Sequence, residues 1–101
     1  LQTPKMLGVR QYESATCEVR YSMLLPISLR ENVREVARVK SGMKGKRHGS
    51  KLLESVCKEA DNAGKILLLM PDTNKLELWY NRFDFTRVQT EPVVLLMREP
   101  K

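Results

Sequence analysis

The chain has 101 residues, 42% of them hydrophobic and 30% charged, with a formal net charge of +6. That length holds one hydrophobic core and is too short for two ordinary domains, so residues 1–101 read as a single globular domain. No apolar run exceeds the five residues of Ile66–Met70 and the N-terminus has no charged-then-apolar leader pattern, so no membrane span is expected and the cytoplasm is the expected location.

The first residue is Leu1 rather than Met, which suggests that an initiator or a longer N-terminal segment is missing. Leu7–Tyr12 and Thr16–Leu25 carry β-branched and aromatic residues around a turn at Glu13, Ser14 and Ala15, and predict two strands, the second ended by Pro26. After a turn at Arg30, Glu31 and Asn32, the segment from Val33 to Lys40 alternates. Val33, Glu35, Ala37 and Val39 fall on one face and Arg34, Val36, Arg38 and Lys40 on the other, the pattern of a third strand.

Ser41–Gly49 holds Gly42, Gly45 and Gly49 and reads as a loop whose backbone can approach a ligand closely. Beyond it, Leu52, Leu53, Val56, Cys57 and Ala60 recur at helical spacing with Lys51, Glu54, Lys58 and Asp61 turned outward, and Asn62-Ala63-Gly64 closes the helix. Ile66–Met70 suits a central strand buried on both faces. Strand, loop, helix and strand form a βαβ crossover, which makes its two strands parallel. Asp72, Thr73 or Asn74 can cap a further helix that turns Leu76, Trp79, Tyr80 and Phe83 inward. Phe85–Val88 and Val93–Met97 then read as strands around a turn at Gln89–Pro92, giving an α/β (α+β) chain of order βββαβαββ with a mixed, mainly antiparallel central sheet.

The two cysteines, Cys17 and Cys57, lie far apart, and with His48 the only histidine the chain offers too few soft ligands for a metal, so both read as structural. The methionines, Met6, Met23, Met43, Met70 and Met97, share no spacing and read as gap fillers.

Charge is unevenly spread. Arg30, Arg34, Arg38, Lys40, Lys44, Lys46, Arg47 and Lys51 face only Glu31 and Glu35 across one stretch, which by itself accounts for the whole net charge. A local positive field favours an anionic partner, phosphate being the commonest, although a solvated charged face has the same composition. The basic glycine turn lies directly after a strand and before a helix, where unpaired backbone N–H groups and the helix dipole create an anion site. Neither the GxxxxGK[ST] nucleotide loop nor the GxGxxG dinucleotide fingerprint is present.

The run Val39-Lys40-Ser41-Gly42-Met43-Lys44-Gly45-Lys46-Arg47-His48-Gly49-Ser50-Lys51-Leu52-Leu53 resembles the acetyl-CoA signature [QR]xxGx[GA] of the GCN5-related N-acetyltransferases. Lys44 falls on the Gln/Arg position, Arg47 on the first signature glycine and Gly49 on the last small residue. A second segment, Asn74 followed by Leu76–Phe85, resembles the family's N…YxxxGF, with Tyr80 on its tyrosine. The resemblance covers roughly Val33–Met97. It implies an acyl-CoA N-acyltransferase-like fold in which coenzyme A is bound by Val39, Lys44, Gly45, Lys46, Arg47, His48, Gly49, Ser50 and Asn74, with its pyrophosphate on the backbone of the turn. It also implies acetyl-CoA as co-substrate without a metal. The chain departs from the family at Arg47, Lys44 and Asp84, and the resemblance leads one to expect that a further strand and two helices, the helices lining the acceptor site in family members, are missing from its front.

Acyl transfer to an amine needs a base, oxyanion donors and an acid for the departing thiolate. The resemblance implies Glu35 as base, the Val39 backbone N–H as oxyanion donor and Tyr80 as acid. The plainer readings are an ion-paired surface Glu35 and a core Tyr80. His48, in the variable position of the turn, is expected to contact phosphate or solvent. Three functions compete: transfer of an acetyl or other acyl group from coenzyme A to an amine on a small molecule or protein, a catalytically silent module of the same shape, and nucleic-acid binding through the basic stretch. A short member also has reason to form a homodimer.

Overall fold

Glu13, in the left-handed region at φ 52°, and Ser14 turn the chain between β1 (Met6–Tyr12) and β2 (Ala15–Tyr21). The computed structural model describes residues 6–22, 26, 28 and 31–101. Ala15 is a buried strand residue rather than part of the turn, and β2 ends at Tyr21. The expected extension of that strand through Met23, Leu24 and Leu25 lies outside the described residues, as does Arg30.

The later elements are β3 (Val33–Lys40), α1 (His48–Ala63), β4 (Ile66–Leu69), α2 (Asn74–Asn81), β5 (Thr86–Gln89) and β6 (Leu95–Arg98). Among the described residues they form an α+β fold with two helices and a mixed six-stranded sheet of order β1-β2-β3-β4-β6-β5. The β3–β4 pair is parallel, as the crossover through α1 requires, and the other pairs are antiparallel.

Alternation in β2 sends Ala15, Cys17 and Val19 to the helix side, where they meet Val36, Leu67, Leu69 and Leu96 from the other strands. Leu52, Leu53 and Val56 of α1 and Tyr80 of α2 close the same core, so both helices bury their apolar stripes in one cluster. Each of those α1 side chains gains about 2 kcal/mol by leaving water. Gly64 ends α1 in the left-handed region at φ 66°, where its N–H and that of Lys65 satisfy carbonyls of the last turn. Leu67, Leu68 and Leu69 are all buried, the signature of a strand covered on both faces.

Three expectations change. Arg38 adopts φ 53° and the β2–β3 register slips by one residue between the Thr16 and Glu18 pairs, so a bulge interrupts the alternation of β3. Val39 consequently packs against the core cluster that holds Val36, rather than sharing a face with Val33 and Ala37. Asp61 is not simply turned to solvent, because its carboxylate accepts hydrogen bonds from Arg98 Nη1 and Nη2 at 2.7 and 3.1 Å. Met43 and Met70 are 59% and 45% exposed, so they fill no core gap; Met97 is half-buried, while Met23 and the Met6 side chain are outside what is described.

Candidate functional site

The parallel pairing of β3 and β4 stops early. It runs from Val33 opposite Ile66 to Glu35 opposite Leu68, whereas β3 itself continues to Lys40. Beyond Glu35 the edge of β3 that faces β4 is unpaired, and a cleft of about 480 Å³ opens there. Ala37, Val39, Met70, Leu76, Trp79 and Tyr80 are among its walls. An open strand edge presents backbone N–H and C=O groups to whatever enters. Val39, the expected oxyanion donor, lies on this stretch.

A second cavity of about 610 Å³ adjoins the first, with Ser41, Leu76 and Trp79 lining both. The turn supplies Met43, Lys44, Gly45 and Arg47 on one side, α1 supplies Gly49 and Ser50, and α2 with its C-terminal cap supplies Lys75, Leu78 and Arg82. No carboxylate lines it. Lys44, Arg47, Lys75 and Arg82 take part in none of the ion pairs among the described residues, whereas Arg34 and Arg38 of the same basic stretch are tied to Glu59 and Glu18. A larger hollow of about 820 Å³ lies beside β5 and the C-terminus, but there Glu77 pairs with Arg87 and Asp84 with Lys101. Uncompensated positive charge therefore gathers around the turn. Leu78, 68% exposed, and Met43 give the same cavity an apolar wall.

The start of α1 adds backbone donors. Its first bond runs from the Lys51 N–H to the Arg47 carbonyl at 3.1 Å, which leaves the N–H groups of His48, Gly49 and Ser50 with no backbone acceptor. Arg47 occupies the cap position in the left-handed region at φ 58°, and no side chain caps the helix. Together with the helix dipole, these donors and cations can hold a multiply charged anion.

Gly49 lines the basic cavity and also has a packing reason: a Cβ there would stand 2.9 Å from Ser41 Cβ, so the glycine admits the strand end against the helix. Gly45, at φ 80°, has open space around it and only a conformational requirement.

Glu35, 5% exposed, accepts a hydrogen bond from Arg20 Nη2 at 3.0 Å and lines neither cavity. Tyr80 does line the cleft, and it is also 5% exposed within the core, so the two readings of this residue coincide. Its ring meets Trp79 at 5.0 Å and Phe85 at 5.9 Å. Burial, helped by the negative charge of Asp72, pushes its phenol up to about 12. His48, expected to contact phosphate or solvent, is half-buried and does not line the cavity; its Nδ1 lies 2.7 Å from Ser14 Oγ, because the tip of the β1–β2 hairpin reaches across to the turn. Asn74 begins α2 but lines neither the cleft nor the basic cavity, and Thr73 is the cap, its Oγ1 accepting from the Leu76 N–H at 3.1 Å. Lys46 is exposed in the turn, next to the cavity wall.

Lys75 and Arg82 were not anticipated, yet they sit at helical spacing with Leu78 and Trp79, a pattern legible in α2. Ser14 had no such signal. Among the described residues there is no cluster of metal-ligating side chains, and no helix is long and apolar enough to cross a membrane. Compared with known proteins, the chain matches no family model, no curated protein and no solved structure.

Proposed function

We propose that the chain is an acyl-CoA N-acyltransferase-like domain that binds coenzyme A at the junction of the two clefts and passes an acetyl or other acyl group to an amine. The observation that carries this reading is the adjacency of a basic, carboxylate-free cavity to the gap between β3 and β4. A diphosphate suits the unpaired cations and the bare N–H groups at the start of α1. An extended thioester arm suits the gap, where it can bond to the unpaired edge of β3.

In that arrangement the amine nitrogen attacks the thioester carbonyl carbon, the new C–N bond replaces the C–S bond, and the sulfur leaves as thiolate. The Val39 N–H is the candidate donor to the oxyanion. Tyr80 stays protonated across the physiological range and is the candidate acid for the sulfur. Glu35, which lines neither cavity, is the candidate acceptor of the amine proton through intervening water.

One observation favours the silent-module reading. The Glu35 carboxylate is already engaged by Arg20, and an acceptor must compete for it. The test is incubation with radiolabelled acetyl-CoA and a panel of polyamines, amino acids and lysine peptides. Label transfer that Tyr80→Phe reduces at least tenfold is the expected result; coenzyme A binding without transfer selects the silent module, and binding of neither coenzyme A nor acetyl-CoA refutes both. Salt-sensitive duplex DNA binding in place of coenzyme binding would select the nucleic-acid reading.

A further inference from the structure

The turn between Lys40 and His48 is poorly held by its own backbone. Its internal hydrogen bond, Lys46 N–H to the Met43 carbonyl, is long at 3.4 Å. What fixes it comes from the hairpin tip. The Met43 N–H donates to Ser14 Oγ at 2.8 Å, and the same oxygen lies 2.7 Å from His48 Nδ1. The Ser14 N–H also points at Nδ1, at 3.4 Å, so the hairpin tip meets the ring through both its hydroxyl and its backbone. Gly42 locks the same joint sterically: at φ 76°, a Cβ there would meet Ser14 Oγ at 2.3 Å and the Ser14 carbonyl carbon at 2.7 Å.

From this joint we infer that Ser14 is a positioning residue for the anion-binding turn. One hydroxyl bonds to the entry of the turn at Met43 and to the first residue of α1 at His48. It thereby sets the spacing between Lys44, Arg47 and the free N–H groups before any ligand arrives, which is where preorganisation raises affinity. The inference rests on the phosphate-binding reading given above.

The test is calorimetric titration of the full chain with coenzyme A and with inorganic pyrophosphate. Removing a positioning hydrogen bond in Ser14→Ala is expected to weaken both ligands ~3- to 10-fold, with little change in melting temperature, and to speed amide exchange at Met43. Ser14→Thr keeps the hydroxyl and is expected to recover most of the affinity. Glu13→Gly, next along the hairpin and suited to φ 52°, is expected to bind as the parent does. Parental affinity in Ser14→Ala, or no recovery in Ser14→Thr, overturns the role of Ser14 while leaving the phosphate reading standing. Failure of the parent chain to bind either ligand overturns both.

Discussion

Glu35 and Leu68 form the last parallel pair of β3 and β4, and the sheet opens immediately beyond them. The cleft that follows is the central feature of the site, and occupying it with protein separates its role from that of the basic cavity. In Ala37→Phe, a bulky ring enters the cleft wall; coenzyme A affinity is expected to fall at least ~5-fold, since overpacking of this kind costs about 1–3 kcal/mol. Pyrophosphate affinity, measured by the same titration, is expected to remain within about twofold of the parent by this fold-change scale.

Charge reversal on the far wall tests the second half. Arg82→Glu is expected to weaken coenzyme A binding by ~10-fold or more, because charge-assisted hydrogen bonds contribute about 1.5–3 kcal/mol. It should also flatten the dependence of affinity on salt. Lys58→Glu, on the exposed side of α1 and away from the cavity, serves as the comparison and is expected to bind normally.

The two left-handed glycines of the turn differ in what surrounds them. Gly45→Ala adds a methyl into open space and is expected to cost about 1–2 kcal/mol, the ordinary penalty of that backbone region. Gly42→Ala meets the same penalty plus contact with the Ser14 backbone, and urea unfolding should show a larger loss, about 3 kcal/mol. Gly49→Glu disturbs Ser41 as well as any phosphate, so a loss of binding there is informative only beside an unfolding curve.

Asp61 and Tyr80 each contribute to the pH response, beside Glu59, Glu77 and Asp84, whose carboxyls are also lowered by basic partners, and Cys17 and Cys57, whose thiols are raised by burial. Hydrogen bonds from Arg98 and from the Lys101 N–H lower the Asp61 carboxyl to about 2. Because the folded value lies below the unfolded value of about 3.9, the stabilisation is present above about pH 4 and is lost as pH falls towards 2. Asp61→Asn is expected to flatten that acid limb in thermal melts. At the other end, the raised Tyr80 phenol keeps its proton while the unfolded chain ionises near 10, so stability declines as pH rises from about 10 to about 12. Tyr80→Phe removes its share of the alkaline loss.

Cys17 and Cys57 are buried, and burial pushes both thiols up to about 11. Alkylation by iodoacetamide at pH 8 is expected to proceed only as fast as the chain unfolds, and fast labelling of the native protein would contradict the burial.

Much of the fold is legible from local pattern. The bounds of β3 follow from alternation between Val33 and Lys40, and the end of α1 follows from Gly64. The leucine run after it gives a strand buried on both faces. The bulge at Arg38 was not legible, because nothing in an arginine signals a left-handed backbone and the register slip is a property of its partner strand. The Ser14–His48 contact joins residues 34 positions apart, beyond the reach of any periodicity. Likewise Arg20 and Glu35 meet only because β2 and β3 pair, so a catalytic and an ion-paired glutamate look alike in the sequence.

The most direct test of the account is amide chemical-shift mapping of the isotopically labelled chain during titration with coenzyme A. Saturable shifts concentrated at residues 43–51 of the turn and start of α1, and at residues 36–40 and 69–70 flanking the cleft, are the predicted result. Absence of shifts at millimolar ligand, or shifts confined to the hollow beside β5 and the C-terminus, would contradict it.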